Sequence, residues 1–354
     1  MKNMYQIKKY AVAVLLAATT FACKKDDNPV DNSTELQEDI LSNTATVVCA
    51  GSYSDMNVKS QQLLDAVNVL NTSTTDANLT ACRDLWKSIR ETWEQTEAWL
   101  FGPVSADEID PRIDTWPVDF NALENVLNNS EVLNEAYVDG LEESLKGFHP
   151  IEYLLWGQNG DKVAADFTTR EKEYLVALAQ NLNNLTAELN ASWTNGFTQE
   201  LATAGNGSTA YATKKAAFTE IVDAMTGICD EVANGKMKDP YDLQDPTQEE
   251  SPFAENSLTD FINNIKGIMD MYQGKFLTDG KGIEDLVRTY NLSLDNEFKT
   301  AHATAIAALG AITVPFGEAI ITQHTQVETA MSKINDLATL MDGQLKPFLL
   351  QYTQ

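Results

Sequence analysis

Hydrophobic spacing is the strongest constraint on this chain. Over long stretches apolar residues recur three and four positions apart, and runs that alternate apolar and polar β-branched residues are missing. The expected fold is therefore all-α. Helices are predicted over residues 35–71, 75–101, 120–127, 131–146, 150–157, 170–193, 210–234, 258–274, 283–290, 294–312 and 318–345. Thr168 with Glu171 has capping-box spacing, Ser257 and Ser293 are suitable N-caps, and Pro315 parts the last two helices. Thr194 to Ser208 turns to Gly, Asn, Thr and Ser, which predicts a boundary there between two tandem helical bundles, residues 35–195 and 196–354. Two loops break the helical pattern, Gly102 to Pro117 and Lys238 to Asn256, each with three prolines. Long ordered loops in a helical protein are where a site is expected to open.

The first 22 residues carry Lys2, Lys8 and Lys9 and then an apolar run too short to span a bilayer, the pattern of a secretory signal. Small residues directly before Cys23 predict a lipoprotein signal, with Cys23 acylated. Residues 23–34 form a polar tether, and the protein is expected on the outer membrane of the cell envelope, facing the periplasm or the cell surface. Loss of three lysines and no acid takes the formal charge from -27 to -30. Such acidity disfavours nucleic acid and electrostatic attachment to anionic lipid, and favours cations or basic ligands. A monomer is expected. Once Cys23 is lipidated three cysteines remain. Cys49 and Cys82, on consecutive predicted helices, fall roughly 25 Å apart along a hairpin, beyond disulfide reach, so buried free thiols are expected.

The segment GFHPIEYLLWG, Gly147 to Gly157, holds one of only three histidines. Proline is favoured at the first helical position, which makes His149 the predicted N-cap and Glu152 the third residue of the helix. The positive helix end then favours neutral imidazole beside an ionised carboxylate, a pair able to hold a metal or move a proton. A Glu in that place also completes half of a capping box, with no function required.

On the second predicted helix Arg83, Arg90 and Glu97 share the flank of an apolar stripe of Trp86, Ile89, Trp93 and Leu100. Charges beside that much aromatic surface need partners, either in a convergent site or in a network that only locks helices together. The acidic loop with Asp239, Asp242, Asp245, Glu249, Glu250 and Glu255 lacks EF-hand spacing. His302 and His324 are isolated and read as surface or core residues. With no zinc-protease, nucleophile-elbow, P-loop or dinucleotide motif present, any divalent metal would have His149 as its main nitrogen ligand. Oxygen donors would supply the rest, a set suited to iron, manganese or calcium better than to zinc.

Taken together these segments resemble the imelysin family. Its G-x-H-x-x-E hallmark matches Gly147, His149 and Glu152, followed by Tyr153, Leu154, Leu155, Trp156 and Gly157. Trp86, Arg90, Glu97 and Phe101-Gly102-Pro103 resemble the family's second helix, and Ile113, Trp116 and Pro117 the loop after it. The segment around Glu250, Ser251, Ser257 and Asp260 is similar as well. Lys236 departs from the pattern, because the resemblance implies an acid there. The resemblance implies two facing helical bundles with Arg90, Glu97, Trp116, His149, Glu152 and the Glu250 to Asp260 segment gathered between them. It implies a ligand- or metal-binding role linked to iron or haem uptake, the ligand being a small molecule, a metal or a polypeptide. A metal-dependent peptidase using His149 and Glu152 is the competing reading, and a structural or adhesive surface protein a third.

Overall fold

The computed structural model describes residues 32–353. The signal segment, Cys23 and residues 24–31 of the tether lie outside the described residues. Among the described residues there is no strand, only one isolated bridge between Phe276 and Thr278, so the fold is all-α. No helix there is long and apolar enough to cross a membrane.

The first predicted helix divides into α1 (Asn32–Asn43), a widened turn at Thr44–Cys49, and α2 (Ala50–Thr72). Helix α3 (Asp76–Thr96) starts where Thr75 accepts a hydrogen bond from the Asn78 N–H, and it buries Leu79, Cys82, Trp86, Ile89 and Trp93 at alternating spacings of three and four. Burial of each large side chain in such a stripe contributes about 1.5–3 kcal/mol, and α3 packs along α2. A short helix α4 (Ile109–Asp114) lies in the first proline-rich loop. Next come α5 (Phe148–Trp156) and α6 (Thr169–Ser192). The predicted Thr168–Glu171 capping box closes both of its hydrogen bonds at the start of α6. The second group comprises α7 (Lys214–Glu231), α8 (Ser257–Gln273), α9 (Leu292–Leu309) and α10 (His324–Leu340). In the first group α2 packs on α3 and α6, and in the second α9 packs on α10 and α8. Contact between α3 and α8 joins the groups, where Asn264 Nδ2 donates to the Glu94 carbonyl at 3.0 Å.

Several expectations are corrected. Residues 131–146 form only a helix at Glu135–Asp139 and a 3₁₀ turn at Glu143–Leu145. Asn134 caps this short helix by accepting from the Tyr137 N–H, and Lys146 Nζ satisfies the carbonyls of Asp139 and Leu141 beyond it. Local side-chain hydrogen bonds thus outcompete a longer helix. Ser257 and Ser293 are not N-caps. Asn256 and Asn291 hold those positions, and Asn291 accepts from the Leu294 N–H. The last predicted helix breaks at Gln323, whose amide exchanges hydrogen bonds with Thr313. Cys49, Cys82 and Cys229 are free and buried, as expected.

Candidate functional site

His149 lies inside α5 and is not its N-cap. That place falls to Gly147, at φ +82°, where an added Cβ would come within 2.2 Å of the Ile113 carbonyl oxygen. Only glycine lets the start of α5 press this closely on α4. Pro150 is tolerated one residue after His149 because the first N–H groups of a helix have no intrahelical acceptor. This placement turns His149 toward the end of α4, with Nε2 3.1 Å from Asp114 Oδ1 and 3.9 Å from Glu250 Oε1.

Nor does the helix end govern the His149 imidazole. Burial opposes its charge, but the Asp114 and Glu152 carboxylates prevail and push the imidazole up to about 9. Its Nδ1 stands 3.4 Å from Glu152 Oε2. Glu152 is fully buried, and its Oε1 accepts from the backbone N–H groups of Phe253 and Ala254 at 3.0 and 2.8 Å. One carboxylate thus fixes both the imidazole and the turn that follows Glu250. Trp116 covers the imidazole, with ring centroids 5.0 Å apart.

Arg90 is the hub. Fully buried, its guanidinium pairs with Glu94 and Asp114, lies 3.1 Å from Glu250 Oε1, and stands 3.6 Å from Asp260 Oδ2. Burial lowers its tendency to carry charge, yet these carboxylates hold it well above its ordinary value. Asp114, also bonded by Trp93 Nε1 at 2.6 Å, is held well below the usual carboxylate range because Arg90 and His149 overcome its burial. Ser251 and Asn256 secure Asp260, Ser251 Oγ donating at 2.6 Å and Asn256 Nδ2 at 2.7 Å. Ser257 Oγ accepts from the Ser251 N–H at 2.9 Å.

Lys236 is a second cation beside Arg90. Its Nζ lies 2.8 Å from Glu97 Oε2, 3.4 Å from Glu250 Oε1, and 3.8 Å from carboxylate oxygens of both Glu94 and Glu231. Burial pushes Glu94 up to about 7 against the pull of Arg90 and Lys236. Burial and the neighbouring Glu94 raise Glu97 well above its ordinary value. The carboxylates outnumber the permanent cations around Arg90 and Lys236.

A cavity of about 390 Å³ opens onto this cluster, lined by Glu97, Asp110, Asp114, Trp116, Glu231, Lys236, Asp239 and Glu250 among others. Asp114, His149 and Glu250 each offer a ligand atom, and these atoms lie within 4.8 Å of one another. His149 Nε2 is buried and is not aligned for any hydrogen bond among the described residues. One nitrogen and two carboxylate oxygens suit a hard divalent ion in spacing and chemistry. Arg90 is the competitor, because it already pairs with both carboxylates.

Residues 50–343 match the family model described as Imelysin. The chain belongs to the imelysin family. Over 312 residues it is 30% identical to "Iron-regulated protein A" of Synechococcus elongatus, a match that covers 85% of this chain and 84% of that protein. The fold is shared with two crystal structures. A putative iron-regulated protein A precursor from Parabacteroides distasonis superposes with a TM-score of 0.80 at 23% identity, covering 90% of this chain and 95% of that one. An imelysin-like protein from Psychrobacter arcticum has a TM-score of 0.73 at 14% identity, covering 89% and 96%.

The imelysin segments read from the sequence, Arg90, Glu97, Trp116, His149, Glu152 and the stretch from Glu250 through Ser251 and Ser257 to Asp260, meet around this one cluster. Arg83 does not join it, since its guanidinium caps the carbonyls of Leu155 and Lys162. His302 Nε2 meets the Ile265 carbonyl at 2.8 Å and exposed His324 meets that of Ile321. Sequence reasoning missed Glu94, Asp114 and Asp110. Glu94 stands four residues after Arg90 on one helix, a spacing that marks an ion pair. Asp114 ends the six-residue α4, too short for any periodicity to point to it.

Proposed function

We propose that this imelysin-family chain is a lipid-anchored cell-envelope protein that captures a cation for iron acquisition in the cleft between its two helical groups. The observation that carries this reading is the cleft's lining, in which six carboxylates face a single lysine. Asp114, His149 and Glu250 would hold the cation directly, the cation displacing the imidazole proton as it binds, and the remaining acids would raise its local concentration. A bound iron or manganese ion would supply the positive charge that this acid-rich cluster lacks. Glu152 acts here by orienting His149 and the turn at Phe253, as partners of metal-binding histidines do. The name "Iron-regulated protein A" belongs to the relative and supports the physiological setting. Cys23 acylation would place the cleft at a membrane surface.

Calorimetric titration of metal-stripped protein with Mn²⁺, anaerobic Fe²⁺ and Ca²⁺ tests the cleft. One saturable site is expected, weakened at least about tenfold in His149→Ala and in Asp114→Asn. Glu152→Gln keeps an acceptor for the Phe253 and Ala254 N–H groups and is expected to cost under about 1 kcal/mol of stability while weakening cation binding about tenfold. Absence of saturable binding by folded wild-type protein would sink the reading. Fractionation tests the anchor separately: a product that stays soluble and does not change with Cys23→Ser would remove it.

A further inference from the structure

Trp116 lines a second cavity, of about 320 Å³, as well as the acidic cleft. Trp116, Phe120 and Phe253 supply three aromatic rings to its lining. Phe253 meets Trp116 and Phe120 edge to face, each at 5.9 Å between centroids. Such a volume is in the range that encloses a small organic ligand.

Glu249 is the one ionisable residue in its lining, and the acidic cleft does not use it. The side chain is 5% exposed. Ser257 and the Gly317 backbone lie beside it and partly offset the burial that pushes its carboxyl up to about 7. Gly317 permits this approach, since a Cβ there would fall 2.4 Å from Glu249 Oε1. Oε2 is buried and has no hydrogen-bond partner among the described residues. A buried carboxylate oxygen left unpaired is costly, and beside aromatic rings it complements one chemistry above others. An ammonium N–H satisfies the oxygen, the cation is attracted to ring faces, and the attached apolar body fills the rest of the space. A quaternary ammonium has no N–H to donate and leaves the oxygen unpaired.

We propose that this cavity is a binding subsite for a primary or secondary ammonium group carried on an aromatic or apolar body, with the Glu249 carboxylate accepting from the ammonium and Trp116, Phe120 and Phe253 enclosing the body. The inference does not depend on metal capture in the neighbouring cleft. Occupancy places a ligand against Trp116, so indole fluorescence reports it.

The test titrates wild-type protein with 2-phenylethylamine and with its neutral counterpart 2-phenylethanol, following tryptophan emission and saturation-transfer NMR. Saturable binding of the amine is expected, at least about tenfold tighter than the alcohol and weakened about tenfold by Glu249→Gln. The amine-to-alcohol comparison needs no variant, so it stands even if Glu249→Gln folds poorly. Three results would overturn the proposal: no saturable amine binding below about 10 mM; equal affinity for amine and alcohol; or binding lost in Asp114→Asn and kept in Glu249→Gln, which assigns the amine to the acidic cleft.

Discussion

The cluster around Arg90 is buried, whereas the polar contacts of α8 and α9 run out to a partly exposed lysine, and the two are wired differently. On α8 and α9 the contacts form a short chain. Tyr272 donates to Asp295 at 3.0 Å, Lys299 pairs with that same aspartate at 2.9 Å and with Glu284 at 2.8 Å, and His302 meets a single carbonyl. Around Arg90 partners are shared. Glu250 serves Arg90, Lys236 and His149, and Glu94 serves Arg90, Lys236 and Asn264. A structural ion pair closes on itself, whereas this cluster keeps more acid than permanent base and leaves His149 Nε2 and Arg90 Nε without hydrogen bonds among the described residues. Surplus charge and unsatisfied atoms are costly to bury, and a protein that carries them has something to gain from a ligand.

The sharpest way to break this contrast is to remove the hub. Arg90→Met leaves Glu94, Asp114, Glu250 and Asp260 facing one another without their common counter-ion, and is expected to lose about 3–5 kcal/mol. Urea unfolding followed by circular dichroism measures it. A loss below about 1 kcal/mol would mean that the cluster is no more tightly wired than a surface pair.

Gly147→Ala attacks the same region through the backbone. The left-handed φ and the clash with Ile113 together predict a loss of about 2–4 kcal/mol. Because Gly147 sets the approach of α5 to α4, Mn²⁺ affinity should fall with stability. An alanine variant that melts normally and binds normally would separate the geometry of α5 from the site.

Asp270 on α8 sharpens the comparison by showing what a partly buried acid does outside the cluster. Burial pushes its carboxyl up to about 7, partly offset by Lys275 and Lys266. An acid whose folded pKa lies above its unfolded value contributes stability below the unfolded value and loses it as pH rises through the folded one. Asp270→Asn should therefore match wild type near pH 4 and become the more stable protein by pH 8, by roughly 2 kcal/mol. Melting temperatures across that range decide it. Glu94, Asp110 and Glu249 also lie near 7, so only the difference between variant and wild type isolates Asp270.

How far the sequence reveals these two regions follows from the same contrast. Periodicity exposes α3, α6 and α8, because each buries one apolar stripe, and the capping box at Thr168 is local chemistry readable in four residues. The two proline-rich loops were legible as places where a site opens, and Asp114, Trp116, Glu249 and Glu250 do come from them. Their contents were not legible. Asp114 reaches Arg90 only because Gly147 draws α4 against α5, and Glu249 meets Gly317 across 68 positions, a contact no local pattern encodes. The upward shift of the His149 imidazole is hidden for the same reason. The helix end was visible in sequence, whereas the Asp114 carboxylate that outweighs it comes from another segment.

The smallest expected effect tests the other side of the contrast. Tyr272 is fully buried, stacks on Phe298 at 3.9 Å between centroids, and gives its one hydroxyl hydrogen bond to Asp295. Tyr272→Phe keeps the ring stack and removes only that bond. Asp295 retains Lys299, so the acceptor is not stranded. With neither a cavity nor an unpaired charge created, the loss should be about 1 kcal/mol, and cation and amine titrations should not change. If the loss instead approached that of Arg90→Met, the short chain on α8 and α9 would be as strongly coupled as the cluster around Arg90. The wiring around Arg90 would then no longer distinguish a binding site from ordinary helix packing.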